Sequence, residues 1–192
     1  MHHYIEYYKN HKKPRVYTKE AAVEAMMDPL NFAAMMVRLG DADGSVAGAV
    51  ATTADTVRAA FRLIGKAKGA KLISSFFLMV MDREHHPRKE TVVFADCAIT
   101  IDPSEDDLAD IAIASAKSLA RFTNEEPRVA MLSFSSLGSA SHPNVTKVEN
   151  ATRIVRDQNP ELIVEGEVQF DAAFVPSVGK SKIPNSKLQN ST

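Results

Sequence analysis

Asp41-Ala-Asp-Gly-Ser-Val-Ala-Gly-Ala-Val-Ala-Thr-Thr-Ala-Asp-Thr-Val-Arg58 is the stretch that most constrains the fold. It opens on a Gly-containing turn and runs into a small-residue apolar segment, Ser45 to Ala51, that reads as a strand. It then crosses Thr52-Thr53 into a helical pattern, with Val57, Phe61 and Ile64 at the spacing of one buried face. Thr52 or Thr53 is the expected N-cap, and Asp55 in the first turn suits the positive end of the helix dipole. A Gly/Ala strand lets another group approach the backbone closely, and the helix start presents unpaired N–H donors. Arg58 adds a forked cation close to those donors. The combination makes a seat for a phosphate or carboxylate. The competing reading is a plain strand–turn–helix unit whose Thr pair only caps.

Toward the amino terminus, residues 1–17 are polar and basic, with Lys9, Lys12, Lys13 and Arg15 around Pro14. They read as a solvated connector or, alternatively, as a basic arm over an anionic ligand. Thr18 is placed to cap a helix through about Met27, and Asp28-Pro29 restarts a second one that Gly40 ends. Leu30, Ala33, Ala34 and Val37 are its expected inner face, and the methionines nearby (Met26, Met27, Met35, Met36) read as core filling.

Toward the carboxyl terminus, Leu72 to Met81 is a dense apolar run expected to form a strand covered on both faces. A charged loop, 82–90, leads to a strand at Thr91–Ala95, which makes the pair an antiparallel hairpin. Asp96-Cys97-Ala98 follows the strand end, where small polar residues often face a ligand. Ser104 caps a long helix to about Arg121, with Leu108, Ile111, Ala112, Ser115 and Leu119 as its packing stripe. Val129–Ser133 is a buried strand, and Phe134-Ser-Ser-Leu-Gly-Ser-Ala-Ser-His-Pro143 is a second Ser/Gly-rich loop before a helix at about 143–158. Its Ser135, Ser136, Gly138 and Ser139 are candidate binding residues. Leu162–Glu165 is a further strand, and Glu167, Gln169 and Asp171 share one face if the chain stays extended there. From Pro176 onward the sequence reads as loop or tail. Strand–helix alternation gives an α/β fold with a mostly parallel sheet carrying the hairpin as an antiparallel addition. The Ser/Thr/Gly loops then fall at carboxyl ends of strands, where such sheets place ligands.

Composition narrows the function classes. The 192 residues carry 45% hydrophobic and 24% charged side chains with a formal net charge of -1. No field of one sign points to nucleic acid or a membrane surface. The single cysteine, Cys97, has no intramolecular disulfide partner, and no Cys/His cluster has zinc spacing, so no metal site is expected. No apolar run approaches the roughly 20 residues that span a bilayer. The opening Met-His-His-Tyr-Ile-Glu does not read as a secretory signal, and the cytoplasm is the expected compartment.

Eight segments carry a resemblance to a known family. Asp28-Pro-Leu-Asn-Phe-Ala, Gly40-Asp-Ala-Asp-Gly-Ser-Val-Ala-Gly-Ala, Thr53-Ala-Asp-Thr-Val-Arg and Ser74-Ser-Phe-Phe-Leu-Met come first. Phe94-Ala-Asp-Cys-Ala, Arg128-Val-Ala-Met-Leu-Ser-Phe-Ser, Gly166-Glu-Val-Gln-Phe-Asp-Ala-Ala and Ser181-Lys-Ile-Pro-Asn-Ser follow in the same order. Over roughly residues 18–187 the chain resembles the phosphate acetyltransferase (phosphotransacetylase) family. Phosphate butyryltransferases and the phosphotransacetylase-like tail of some malic enzymes are looser matches.

The resemblance implies two α/β lobes of the isocitrate/isopropylmalate dehydrogenase type, with a cleft between them. It also implies reversible acetyl transfer between coenzyme A and orthophosphate, with no metal and no cofactor beyond the substrates. Acetyl phosphate, phosphate and coenzyme A are the implied small-molecule partners, and a homodimer or higher oligomer the implied assembly. Arg58 matches a family arginine that binds the phosphoryl end of acetyl phosphate, with Thr52 and Thr53 beside it. It is therefore the expected catalytic residue of this chain. The family's Asn-Asp-Leu-Ser-Arg-Gly-type segment, source of a catalytic Ser-Arg pair and an Asp base, has no match in this sequence. A basic family segment upstream has no clean match among Lys9, Lys12, Lys13 and Arg15, and Leu137 stands where the family often has Lys. The expected organisation is the end of a first lobe over about 1–71 and the bulk of a second over about 72–192. Two other functions remain open on the residues: a non-catalytic phosphate- or CoA-binding module, and a regulatory domain like the malic-enzyme tail.

Overall fold

A computed structural model describes residues 1–11, 18–86 and 90–189. The chain divides into two compact units, Met1–Ala70 and Lys71–Thr192.

The first unit is helical: α1 (His2–His11), α2 (Lys19–Met27), α3 (Pro29–Leu39) and α4 (Thr53–Leu63). Their boundaries follow from capping chemistry. The Thr18 hydroxyl accepts from the Ala21 N–H, Asp28 accepts from the Asn31 N–H with Pro29 opening α3, and Gly40 closes α3 at φ 80°. The core gathers Tyr4 and Tyr8 of α1, Ala22 and Met26 of α2, Ala34 and Met35 of α3, and Leu63 of α4.

Several expectations change in this unit. The amino-terminal stretch is not simply a solvated connector: α1 buries Tyr4 and Tyr8, and the Tyr4 ring meets Phe32 edge-on at 5.1 Å between centroids. The aromatic pair at i and i+4 drives that docking, and the Lys-rich pattern hid it. Lys12, Lys13, Pro14 and Arg15 lie outside the described residues. Ser45 to Ala51 is not a strand. It has no neighbouring strand among the described residues of its unit, and Val46 and Val50 stand fully exposed. The buried face of α4 is Ala59 and Leu63, while Phe61 faces solvent. In α3 the buried positions are Asn31, Ala34 and Met35.

The second unit is α/β. It contains β1 (Phe76–Met81), β2 (Glu90–Ala95), α5 (Glu105–Thr123), β3 (Arg128–Leu132), α6 (Pro143–Gln158), β4 (Ile163–Val168), α7 (Phe170–Phe174), α8 (Pro176–Lys182) and a final 3-10 turn at Lys187–Gln189. β1 and β2 form the expected antiparallel hairpin, in register from Phe76 opposite Ala95 to Met81 opposite Glu90. β3 and β4 pair in parallel across α6. Among the described residues the strands thus form two separate two-stranded sheets, one antiparallel and one parallel, rather than one mostly parallel sheet. β1 is also not covered on both faces: Phe77, Leu78, Met79 and Val80 are exposed.

α5 begins in a capping box between Ser104 and Asp107 and ends on Asn124 in the left-handed conformation. It packs on α6, β2 and β3, and the core joins Ala109, Ala112, Met131, Ala151, Val155 and Val164. A smaller cluster of Val168, Ala172, Ile183 and Leu188 shows that the segment after Pro176 is ordered by its own apolar anchors, not a loose tail.

Candidate functional site

At the start of α4, the Thr52 hydroxyl accepts from the Asp55 N–H at 3.1 Å and donates to the Asp55 carboxylate at 2.7 Å. Thr53 is the first helical residue. The Arg58 guanidinium reaches back one turn to Asp55, with Nη1 2.6 Å from Oδ1. The Thr52 hydroxyl and then Arg58 hold the Asp55 carboxyl below its usual range. Thr52, Thr53 and Arg58 are therefore brought together, with their open side toward solvent. Asp55 already occupies the cation and one cap donor, so an incoming anion has to compete with it. Arg62, one turn on, donates to the Asn31 side chain and ties α4 to α3.

Ser135, Ser136, Gly138 and Ser139 lie in the second unit, in the loop that leaves the carboxyl end of β3. They do not belong to the same unit as Thr52, Thr53 and Arg58. The Ser135 side chain is wholly buried and donates to Glu167 Oε1 at 2.6 Å while accepting from the Ala140 N–H at 3.1 Å. The Gly138 N–H donates to the same Glu167 oxygen at 2.9 Å, and Gly138 itself sits at φ 83°. The Ser136 N–H donates to the Ser139 hydroxyl, and the Ser136 hydroxyl exchanges hydrogen bonds with Gln169. The loop is thus wound around one buried carboxylate.

Glu167 reaches that position through a bulge in β4. Met131 pairs with Gly166 and Leu132 with Val168, so Glu167 is the extra residue, and its side chain is free to turn into the loop. The sequence reading set Glu167, Gln169 and Asp171 on one extended face. Instead the strand ends at Val168 and Asp171 lies in α7. Gln169 and Asp171 still converge, because Lys182 of α8 donates to both, at 2.8 and 3.0 Å. Lys182 lowers the Asp171 carboxyl, chiefly by that hydrogen bond. The roles of Glu167 and Lys182 are what sequence reasoning missed here. A lone acid after a strand glycine was the only hint of the first, and the second was read as tail.

Asp96 is a third polar centre. Burial raises its carboxyl, but the N–H groups of Ile99, Ser75 and Ala98 and the Ser75 hydroxyl outweigh burial and hold it well below the usual carboxylate range. Those donors come from its own loop and the segment before β1, so Asp96 organises the chain locally. Cys97 beside it is half-buried, with Sγ 3.5 Å from the Ser75 hydroxyl. Among the described residues no group of three or more His, Cys, Asp or Glu could hold a metal ion, and no helix is long and apolar enough to cross a membrane.

The whole of residues 1–192 matches the family described as phosphate acetyl/butaryl transferase. The chain belongs to that family. It is 51% identical over 171 residues to a phosphate acetyltransferase of Paracoccus denitrificans, covering 89% of this chain and 54% of that protein. Among solved structures it is similar to the EutD phosphotransacetylase from Staphylococcus aureus, with a TM-score of 0.82 at 38% identity over all of this chain and 57% of that one. A phosphotransacetylase from Streptococcus pyogenes matches with a TM-score of 0.75 at 42% identity, covering 96% of this chain and 53% of that one. The chain spans about half the length of several curated relatives it matches and about a quarter of others.

Proposed function

We propose that this chain carries part of a phosphate acetyltransferase, which interconverts acetyl-CoA plus orthophosphate with coenzyme A plus acetyl phosphate. The observation that carries this reading is the match of the whole chain to the family, together with relatives named phosphate acetyltransferase at 41% to 51% identity. Those relatives favour acetyl transfer over a butyryl-transferring, purely binding or regulatory role. The isocitrate/isopropylmalate dehydrogenase-like two-lobed architecture, a cytoplasmic location and a homo-oligomeric state belong to the same proposal. So does the absence of a cofactor beyond coenzyme A as substrate, of nucleic acid and of membrane partners.

In the direction that makes acetyl-CoA, a C–S bond forms as the thiolate of coenzyme A attacks the acetyl carbonyl. The bond from that carbon to the phosphate oxygen breaks, and the thiol proton passes to a base. The charge that grows on the departing phosphate is what a cation and oriented N–H groups stabilise best. Arg58 is assigned that role, with the first N–H groups of α4 and the hydroxyls of Thr52 and Thr53 completing the seat. Arg58 suits it because its guanidinium is exposed and needs only to leave an exposed Asp55 to meet a phosphate. Ser136, Gly138 and Ser139 are assigned to a second substrate-facing loop, which Ser135 holds in shape through Glu167.

A phosphate titration followed through the amide shifts of Thr52 to Val57 tests the seat. Arg58→Ala should cost about 1.5 to 3 kcal/mol of affinity, the range for a hydrogen bond to a charged group. Arg58→Lys should recover only part of it, because an ammonium lacks the two-pronged geometry. Unchanged binding in Arg58→Ala would remove Arg58 from the seat.

A further inference from the structure

The Ser/Gly loop after β3 turns its own backbone donors inward. The Ser135 N–H donates to the Ser133 hydroxyl at 3.3 Å, and the Ser136 N–H to the Ser139 hydroxyl at 3.0 Å. The Leu137 N–H meets the Glu167 carbonyl oxygen at 3.0 Å, and the Gly138 N–H meets Glu167 Oε1 at 2.9 Å. The Ser139 N–H donates to the Ser136 carbonyl at 3.2 Å, and the Ala140 N–H to the Ser135 hydroxyl at 3.1 Å. Every N–H from Ser135 to Ala140 is thus engaged within the loop or by Glu167. A backbone seat for an anion needs several N–H groups turned together toward the ligand. Phe134 to Ser141 also contains no Lys or Arg. This loop is not built to hold a phosphate.

Its hydroxyls have a fixed direction as well. A serine hydroxyl has one proton to give and two lone pairs. Ser135 gives its proton to Glu167 Oε1 at 2.6 Å and takes the Ala140 N–H on one lone pair. The 3.2 Å contact between Ser135 Oγ and Ser139 Oγ therefore has to carry the Ser139 proton. Ser139 also accepts the Ser136 N–H, which uses one of its own lone pairs. Ser139 is exposed, so its remaining lone pair is the group it has to offer a ligand. The proton chain runs from Ser139 through Ser135 to Glu167, whose side chain is buried and accepts at its end.

We propose that Glu167 is a positioning residue of the transfer reaction. Acting through Ser135, it draws the Ser139 proton inward, so that Ser139 presents an accepting oxygen to the substrate. The inference rests on the phosphate acetyltransferase reading and names which substrate this loop takes. Orthophosphate and acetyl phosphate bring mainly acceptor oxygens, which suit the seat at α4. Coenzyme A brings a thiol S–H and the amide N–H groups of its pantetheine arm. An accepting hydroxyl pairs with that arm and leaves a phosphate oxygen unpaired, so the loop discriminates between the two substrates. Without Glu167 the Ser135 proton is free to turn to Ser139, and the Ser139 proton then points outward.

The test titrates the full 192-residue chain with pantetheine and, separately, with orthophosphate, and reads the amide shifts of Ser136 to Ala140. Pantetheine should shift these amides and orthophosphate should not. Ser139→Ala and Ser135→Ala should each weaken pantetheine about three- to tenfold, the worth of one hydrogen bond. The double variant should lose no more than either single one, because both act on one chain of hydrogen bonds. Glu167→Ala should lose as much, while Glu167→Gln, whose amide oxygen still accepts, should stay within about twofold of the parent. If Glu167→Ala does not fold, Ser135→Ala carries the test. The proposal is overturned if orthophosphate shifts the loop amides, if pantetheine does not, or if Ser135→Ala binds pantetheine like the parent. It is equally overturned if the two serine losses add, or if Glu167→Gln loses as much as Glu167→Ala. The amides of Thr52 to Val57 in the same spectra separate the two readings. A phosphate response there with a failed loop result removes only this inference, whereas no response at either place removes the phosphate acetyltransferase reading with it.

Discussion

Asp55 is pulled two ways at the start of α4. Its carboxylate completes the cap with Thr52 and neutralises Arg58, the two groups assigned above to the proposed phosphate seat. Asp55→Asn should therefore strengthen phosphate binding about two- to fivefold, the worth of an exposed ion pair, at some cost to the helix start. The same amide-shift titration measures it, and weaker binding in Asp55→Asn would mean that Asp55 orients Arg58 toward the ligand. Asp96 gives a pH prediction. Its folded value lies below its ordinary 3.8, so ionised Asp96 stabilises the fold above that pH, and the contribution is lost as acid approaches the depressed value. Urea midpoints should fall as pH drops from about 5 to 3, and Asp96→Asn should be less stable at pH 7 with a flatter acid profile. At this scale the sequence reveals the caps well, because capping is a matter between neighbours. It does not reveal that Arg58 turns to Asp55, or that Arg62 is spent on Asn31. Those choices depend on rotamers and on another helix.

Elements with strong local signals were legible: Thr18, Asp28, Thr52 and Ser104 each start a helix where the spacing places one, and the antiparallel hairpin follows from its short polar connection. The errors share a physical cause. Ser45–Ala51 has strand-like residues but no partner edge among the described residues, and a strand is defined by its partner. α1 and α8 have basic or Gly/Ser-rich compositions that read as loop, yet Tyr4, Tyr8 and Ile183 dock them. The bulge in β4 could not be foreseen, because it is imposed by packing against the neighbouring strand and helix. A Cβ at Gly166 would lie 2.5 Å from the Met131 Cβ and 2.6 Å from Thr152 Oγ1. Gly166→Ala should thus push β4 off both β3 and α6, at about 1 to 3 kcal/mol by the usual cost of overpacking. Chemical denaturation checks this, and a variant as stable as the parent would show that the strand pair yields more easily than the contacts suggest.

At the scale of the molecule, β1 shows solvent a run of Phe77, Leu78, Met79 and Val80, and Val46 and Val50 stand open in the other unit. Contiguous apolar surface of this kind favours association. Sedimentation at several concentrations should show self-association, reduced by Val80→Lys; a monomer across the range would contradict it. The chain by itself should form little acetyl-CoA from acetyl phosphate, since the family's Ser-Arg pair and Asp base have no match among its residues. The most direct measurement places these 192 residues in the matched region of the Paracoccus denitrificans phosphate acetyltransferase and assays coenzyme A-dependent acetyl-CoA formation from acetyl phosphate. The predicted result is turnover by the chimera and a loss of about ten- to a hundredfold on Arg58→Ala, the rate equivalent of a lost charge-assisted hydrogen bond. A chimera that folds and binds coenzyme A but transfers no acetyl group would contradict the assignment.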